Sequence, residues 1–285
     1  MKDIRYENQF GDSISLNSFL EYGAIEDITG LTALKVKDTT TQGYRQDGDT
    51  LEYSQLEPQD IEIKFWIDAM TESRYLEIRD QFNRVFRPKS KGTLYYTDGK
   101  QDVIVNCHVV TSPDMPENGV YQVKDGIVEL QANDPKLYDR EEHMIELTSW
   151  EGGFTLPTSL SFACRHRGAG IVMVDNDGHL DIPMRIEFSG PATNPKVQNL
   201  TTGEEIEING SLLTGEQIVI TTDYHKKTVT KIASDGTETN GETWITDGSK
   251  FLWLAIGENR LKYGSSNESQ VNEVTVYYRR AYTGV

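Results

Sequence analysis

Five histidines, two cysteines and 45 acidic residues are the side chains here that could ligate metals or transfer protons. No His-x-x-x-His or Cys-x-x-Cys spacing occurs among them. Cys107 and His108 are adjacent, so on a strand they point to opposite faces. Cys164 and His166 would share a face, but two ligands without partners do not form a site. The sequence therefore predicts no metal and no cofactor, and it favours two unbridged thiols over a disulfide.

The segment Asp175–Gly178 has the composition of a calcium-binding loop but not its spacing. With Gly178 at position 6 of such a loop, positions 1 and 12 would be Met173 and Met184, where carboxylates are required. We interpret the segment as a hairpin turn instead.

Motifs for nucleophilic catalysis or phosphate binding do not occur in the sequence. It contains no Gly-x-Ser-x-Gly elbow and no Walker loop. Glycosidases use a pair of carboxylates, and carboxylates occur here at Glu204, Glu205 and Glu207. These three residues flank a turn, so we interpret them as a solvated strand edge. The sequence predicts that the protein is not an enzyme.

Two candidate interaction surfaces remain, and the first is aromatic. Trp244, Trp253 and Tyr263 lie in the second half of the chain, and exposed aromatic rings can stack on sugar rings. Trp253 also lies inside the apolar run from Phe251 to Leu254, so the alternative is that it fills a core.

The second candidate surface is basic, in a chain of net charge −17. Two interpretations stay open: a solvated helix face, or a docking surface for an acidic neighbour such as the next copy of this chain. Its members are Arg74, Arg79, Arg84, Arg87, Lys89 and Lys91.

One amphipathic helix is predicted to carry most of the basic surface. Apolar residues recur with helical spacing between Thr71 and Arg87, at Tyr75, Ile78, Phe82 and Val85. Thr71 is a suitable N-cap, and Pro88 ends the helix.

The rest of the chain is predicted to form β-strands. Ile61–Phe65 alternates apolar and polar residues, and Asp-Gly and Asn-Gly pairs recur between such segments, as at Asp98-Gly99. The sequence predicts a mainly β protein with an N-terminal β-sandwich bearing the helix and a β-hairpin, over residues 1–140, and a C-terminal β-sandwich over residues 141–285.

Composition narrows the classes of function. The chain has 28 basic and 45 acidic residues. This excess of negative charge disfavours nucleic-acid binding and attachment to anionic membranes. The N-terminal residues contain no apolar signal-peptide core, and no apolar run approaches the length of a membrane span. We therefore expect synthesis in a cytoplasm without ordinary secretion.

Several segments together resemble the distal tail proteins of siphophages that infect Gram-positive bacteria. In the first half these are the strand from Asp60 to Asp68, the helix, the hairpin from Thr93 to Lys100 and the strand from Val128 to Pro135 with its Asp-Pro-x-x-Tyr ending. In the second half they are Gly190–Pro195, Asn199–Glu204, Leu213–Ile220 and the closing residues Val276–Val285. The match is weakest between residues 141 and 167.

The resemblance implies a virion protein with a structural role. It implies a hexameric ring formed by the N-terminal domain at the distal end of the tail, and a C-terminal domain similar to galectins and carbohydrate-binding modules. The partners it implies are other copies of the chain, the tail tube protein, the tape-measure protein, the tail-tip or lysin protein and the baseplate or receptor-binding proteins. DNA would pass through the ring, where an acidic lumen would repel phosphate. The alternative function is adhesion to cell-wall polysaccharide through the C-terminal domain.

Overall fold

The computed structural model describes residues 3–17, 21–24, 28–148, 151–155, 163–166, 170–266 and 273–285. The chain divides into two compact units, one formed by Met1–Arg140 with Tyr282–Val285 and the other by Glu141–Ala281. Within the described ranges, regular structure consists of strands with one α-helix and one short 3-10 helix. The predicted fold class, mainly β with an added helix, is confirmed.

The first unit is built from short and medium strands and the α-helix. These elements are β1 (Asp3–Asn8), β2 (Ser13–Ser15), β3 (Tyr22–Ala24), β4 (Val36–Thr41), β5 (Thr50–Leu56), β6 (Gln59–Asp68), α1 (Glu72–Val85), β7 (Lys91–Thr97), β8 (Asp102–Val109), β9 (Glu117–Gly119), β10 (Gln122–Ala132) and β11 (Leu137–Asp139).

Most strands of this unit form one antiparallel sheet, in the order β2-β1-β7-β8-β10-β6-β3. Its strands alternate as the sequence predicts: every second residue of β6, from Gln59 to Ile67, is buried and the intervening ones are more exposed. The buried side chains form the core beneath the helix.

The predicted helix is confirmed as α1. The Thr71 hydroxyl accepts a hydrogen bond from the amide of Arg74 and so caps the N-terminus. The buried face carries the four apolar residues chosen from the sequence, among them Phe82. Phe82 stacks on Phe65 of β6 with ring centroids 4.4 Å apart. This contact fixes the helix on the sheet and turns its basic face outward.

The buried side chain of Asn8 joins the end of β1 to the end of the helix. Its amide donates to the carbonyls of Arg84 and Val85, at 3.3 and 3.1 Å, which the helix itself leaves unpaired. Its carbonyl accepts from the amides of Phe10 and Asp12, both at 3.0 Å. One polar residue therefore holds the helix C-terminus and the β1–β2 turn together.

Two of the turn signals in this unit have different outcomes. The hairpin at Asp98-Gly99 is confirmed: β7 and β8 pair around it, and Asp98 Oδ1 accepts from the amides of Lys100 and Gln101. The Asp125-Gly126 pair carries the same Asp-Gly signal, but the turn that this signal predicts is wrong here, because the pair lies at a bulge within β10. A Cβ on Gly126 would lie 2.5 Å from the Phe65 ring, so glycine is required there for packing.

The second unit contains the remaining strands. Those described are β12 (His143–Thr148), β13 (Glu151–Thr155), β14 (Ala163–His166), β15 (Ile171–Asn176), β16 (Ile182–Ser189), β17 (Ala192–Thr193), β18 (Lys196–Asn199), β19 (Glu204–Glu207), β20 (Ser211–Leu212), β21 (Gln217–Thr221), β22 (Thr228–Ile232), β23 (Glu238–Asn240), β24 (Trp253–Leu254), β25 (Gly257–Gly264) and β26 (Glu273–Tyr278), with a 3-10 helix at Glu242–Trp244.

Two antiparallel sheets form the layers of this unit. One has the order β12-β26-β16-β21-β22-β23, with β24 attached to β16, and the other has the order β15-β25-β18-β19. Ile186, Phe188 and Val276 of the first sheet and Leu261 and Val197 of the second are fully buried. This arrangement agrees with the predicted sandwich of short strands.

The segment Asp175–Gly178 does not form the predicted hairpin turn. The segment begins with the last two residues of β15, which pairs with β25. The next strand, β16, belongs to the other sheet, so the segment crosses from one layer to the other. The buried side chain of Asn176 holds this crossing by donating to the carbonyls of Leu180 and Leu254 and accepting from the amide of Gly178. The hairpin interpretation is therefore wrong, because the strands on either side of the segment belong to different sheets.

The last residues of the chain return to the first unit. The closing strand β27 (Ala281–Tyr282) pairs with β11. The Tyr282 hydroxyl donates to Asp139 Oδ1 at 3.0 Å, and the amide of Val285 donates to the carbonyl of Leu31 at 3.1 Å. The first unit is therefore completed by residues from both ends of the sequence.

Candidate functional surfaces

The arginines of the predicted basic surface are engaged within the first unit. Arg74 Nη2 lies 2.7 Å from Glu21 Oε2, and this guanidinium holds the pKa of Glu21 below its ordinary value. Arg79 pairs with Glu117 at 3.5 Å. Arg84 and Arg87 both approach Asp12, at 3.6 and 3.5 Å. These are exposed pairs, which contribute little to stability because water screens them, and they reduce the charge available to a partner.

The two lysines of the same set are placed differently. Lys89 is exposed in the turn after the helix, with a positive φ of 67°, and its amide donates to the carbonyl of Val109 at 2.9 Å. Lys91 is exposed at the start of β7. Neither lysine pairs with an acidic side chain among the described residues. Docking through the basic surface remains a prediction, and these two lysines are its unpaired charges.

The three aromatic residues predicted to contact glycans do not come together. Tyr263 lies in β25 with 3% of its surface exposed, so its ring faces the core. The Trp244 ring lies against Gly210, where an added Cβ would approach its Cζ3 to 2.7 Å. The ammonium of Lys231 lies 4.2 Å from the Trp244 centroid and also pairs with Glu216 at 3.1 Å. The Trp244 ring is therefore packed within the second unit, and glycan binding by these three residues stays a prediction.

Trp253 lies at the surface rather than in the core. Leu252 and Leu254 on either side of it are fully buried, whereas Trp253 is half-buried because its side chain points to the opposite face of β24. Its ring centroid lies 4.6 Å from that of Tyr224, at an interplanar angle of 40°.

Tyr224 is a surface residue that the sequence reasoning missed. It lies in the turn after β21, is 71% exposed and has the ammonium of Lys227 at 4.9 Å from its ring centroid. The same ammonium lies 5.3 Å from the centroid of Phe251. Tyr224, Lys227, Phe251 and Trp253 are called the aromatic–lysine cluster below. The sequence does contain a signal for an exposed aromatic residue, because Tyr224 lies between charged and titratable residues in a turn.

Buried asparagines position the segment that carries Trp253. The Asn199 amide donates to the Trp253 carbonyl at 3.1 Å and to Asn259 Oδ1 at 3.1 Å. Asn259 Oδ1 also accepts from the amide of Ala255, and its own amide donates to the carbonyls of Ala255 and Gly257. Both asparagines are fully buried. These hydrogen bonds hold residues 253–257 in one conformation, which fixes Trp253.

The described part of the chain offers little for metal or thiol chemistry. Among those residues, no three His, Cys, Asp or Glu side chains are placed to hold a metal ion. Cys107 is buried and unbridged, and burial raises the pKa of its thiol to about 12. The side chain of Cys164 lies outside the described structure. No helix in the described ranges is both long and apolar enough to cross a membrane.

Two sequence families match consecutive parts of the chain. Residues 15–131 match the family described as a phage tail protein RIFT-related domain. Residues 177–282 match the C-terminal domain of the siphovirus-type tail component. No curated protein sequence matches the chain.

Solved structures from two phages have the same fold. The Dit protein of phage SPP1, described as a paradigm of the hub of the adsorption apparatus in phages infecting Gram-positive bacteria, superposes with a TM-score of 0.67 over 99% of both chains, at 12% identity. A chain of the phage P2 baseplate in its activated, calcium-bound conformation gives a TM-score of 0.56 over 100% of both chains, also at 12% identity.

Proposed function

This chain belongs to the siphophage distal tail proteins, which are structural components of the phage tail hub, and we propose that six copies form a closed ring at the far end of the tail tube. In this proposal the first unit, Met1–Arg140 with Tyr282–Val285, builds the ring, and the second unit, Glu141–Ala281, forms a peripheral domain. The ring joins the tube and tape-measure proteins to the tail-tip protein and the baseplate or receptor-binding proteins, and it lets DNA pass without binding it. No catalytic activity is part of the proposal.

The observation that supports self-assembly is the hairpin formed by β4 and β5. Among the described strands these two pair only with each other. Nearly all their residues are exposed, including the apolar side chains of Val36, Leu51 and Tyr53, which are 54–57% exposed. Tyr44, at the tip, is 90% exposed.

Such a hairpin gains stability when another chain covers it. A two-stranded ribbon alone is marginally stable in water, and both of its outer edges carry unpaired backbone groups. In a ring, each subunit presents one surface to the next copy and receives a different one from the previous copy, so every hairpin is covered. A neighbouring copy of the same chain is therefore the partner proposed for β4 and β5.

Charged substitutions on the hairpin test the ring. Wild-type protein is expected to give a mass of six chains by light scattering and rings in negative stain. The double variant Leu51→Asp/Tyr53→Asp is expected to be monomeric, because carboxylates cannot be buried at the contact without a large desolvation cost. Met173→Asp changes an equally exposed apolar residue of the second unit and serves as the matched control. Hexamers of the double variant, or a monomeric wild type at high concentration, would contradict the proposal.

The position in the particle is tested separately. Gold-labelled antibody against this chain is expected at the distal end of the tail in electron micrographs. Label along the tube or at the head would contradict the proposed location.

A second candidate function is adhesion to cell-wall polysaccharide through the second unit. The observation that favours it is the exposed aromatic–lysine cluster, rather than Trp244 or Tyr263. This function is tested by the retention of the chain on purified cell walls. Wild-type chain is expected to be retained, and the Tyr224→Ala variant, which lacks the exposed aromatic side chain, is expected to be retained less.

A further inference from the structure

We propose that Tyr224, Trp253 and Lys227 form a binding site for an anionic polysaccharide, in which a sugar ring packs on the aromatic side chains and its acidic group pairs with the lysine. The proposal deepens the adhesion function above and does not depend on the ring.

Geometry is the first support for this site. Tyr224 keeps 71% of its surface exposed although its ring is only 4.6 Å, centroid to centroid, from that of Trp253. Two neighbouring rings, tilted by 40°, therefore form an open apolar surface. Apolar C–H faces of sugars pack on such surfaces, because the negative face of the aromatic ring attracts the partially positive C–H groups and the contact removes apolar surface from water.

Charge is the second support, and it selects an anionic ligand. The chain has a net charge of −17, yet the turn around Tyr224 carries His225, Lys226 and Lys227 in succession. Neither lysine forms an ion pair with a described residue. The acidic member of the turn, Asp223, is used internally, since its Oδ1 accepts from the amide of His225 at 2.9 Å. An acidic sugar would therefore find the Lys227 ammonium, 4.9 Å from the Tyr224 ring centroid, without an acidic partner among the described residues.

The site is also held in place before any ligand binds. The carbonyl of Asp223 accepts from the amide of Lys226 at 3.0 Å, which closes the turn. Thr222, at its start, is fully buried and hydrogen-bonds with both the amide and the carbonyl of Met184. Asn199 fixes the backbone of Trp253 on the other side. A site that is already ordered loses less conformational entropy on binding.

The dimensions of the cluster favour a sugar over a protein. Stable protein interfaces bury on the order of 800 Å² on each partner, with an apolar centre. Tyr224 is instead flanked along the chain by charged and titratable side chains, and Trp253 is already half-buried. One or two sugar rings match an aromatic surface of this size.

Binding to immobilised polysaccharides, measured by biolayer interferometry with the full chain, tests the site. The probes are hyaluronan, which carries carboxylates, poly(glycerol phosphate), which carries phosphates, and neutral chitin oligosaccharides. Binding to at least one anionic probe is expected, at least about tenfold tighter than to the neutral one and weakening as salt rises. The two anionic probes distinguish carboxylate from phosphate as the recognised group.

Variants identify the residues responsible. Tyr224→Ala and Lys227→Gln are each expected to weaken binding about tenfold or more, and Lys227→Gln is expected to flatten the salt dependence. Leu213→Ala is the matched control, because Leu213 is an apolar residue of the second unit that is exposed to nearly the same extent, 68% against 71% for Tyr224. Both test residues lie in an exposed turn, so unchanged melting temperatures will show that the variants fold.

Three results would overturn the site: no binding to either anionic probe, equal binding to the neutral probe, or wild-type binding by Tyr224→Ala. A monomeric chain that binds would contradict the ring but keep this site. A hexamer that does not bind would contradict this site but keep the ring.

Discussion

Replacing Asn259 with alanine is expected to lower the free energy of unfolding of the second unit by about 3 kcal/mol. Four hydrogen bonds would be lost: Asn259 Oδ1 accepts from the Ala255 amide at 2.9 Å and from Asn199 at 3.1 Å, and its Nδ2 donates to the carbonyls of Ala255 at 2.7 Å and Gly257 at 2.9 Å. Each buried group left without a partner costs roughly 1–3 kcal/mol, but relaxation and entering water recover part of the sum. For a domain of this size, the melting temperature should fall by about 9 °C.

Asn259→Asp separates hydrogen bonding from shape, because aspartate has nearly the same volume. Its carboxylate can still accept from Ala255 and Asn199 but cannot donate, and burial disfavours its charged form. Burial should therefore raise the pKa of this carboxyl in the folded state above its unfolded value. Folding is then favoured by the neutral acid at low pH, and this contribution is lost as the pH rises through the folded pKa. The deficit relative to wild type should be larger at pH 7.5 than at pH 4.5.

Thermal unfolding followed by circular dichroism, with hydrogen exchange of residues 253–257, measures both effects. The matched control is Asn240→Ala, since Asn240 is exposed and accepts one hydrogen bond, from the amide of Glu242. The control should cost about 1 kcal/mol or less. If Asn259→Ala costs no more than the control, or if the Asn259→Asp deficit does not change with pH, the buried hydrogen bonds do not stabilise this segment as described.

Two further predictions concern packing and reactivity. Gly210→Ala should lower the free energy of unfolding of the second unit by about 2–3 kcal/mol in urea and shift the tryptophan emission, because the added Cβ would lie 2.7 Å from the Trp244 ring. Gly203 also has a positive φ but has no atom within 4 Å of an added Cβ, so the control Gly203→Ala should cost only about 1 kcal/mol. Equal costs for the two variants would contradict the contact with Trp244. Cys107 should resist alkylation by iodoacetamide at pH 8 in the folded chain, because a pKa of about 12 leaves roughly one thiol in ten thousand ionised. Peptide mass spectrometry measures the alkylated fraction. Alkylation as fast as in the urea-unfolded chain would refute the burial of this thiol.

Features determined by neighbouring residues could be predicted from the sequence. The helix was expected from Thr71 to Arg87 and spans Glu72–Val85, since its spacing, its cap and Pro88 are all local signals. The Asp98-Gly99 hairpin is equally local, because Asp98 hydrogen-bonds to amides two and three residues later.

Features determined by distant residues could not be predicted in this way. Gly126 is needed because Phe65, on the neighbouring strand, occupies the place of a side chain. Tyr224 and Trp253 meet although nearly thirty residues separate them, and no local pattern records their contact. The outward position of Trp253 was not predicted either, because the continuous apolar run from Phe251 to Leu254 contains no polar residue that would distinguish one face from the other.

The return of Tyr282 to Asp139 makes the second unit an insertion into the first. The chain leaves the first unit after Arg140 and re-enters it at Tyr282, and the side chains next to these two points are already joined by a 3.0 Å hydrogen bond. Excision of residues 141–281 would therefore leave two ends that a short linker can close. Domain exchange at this position, whether by recombination between phages or by engineering, would alter the second unit while preserving the first.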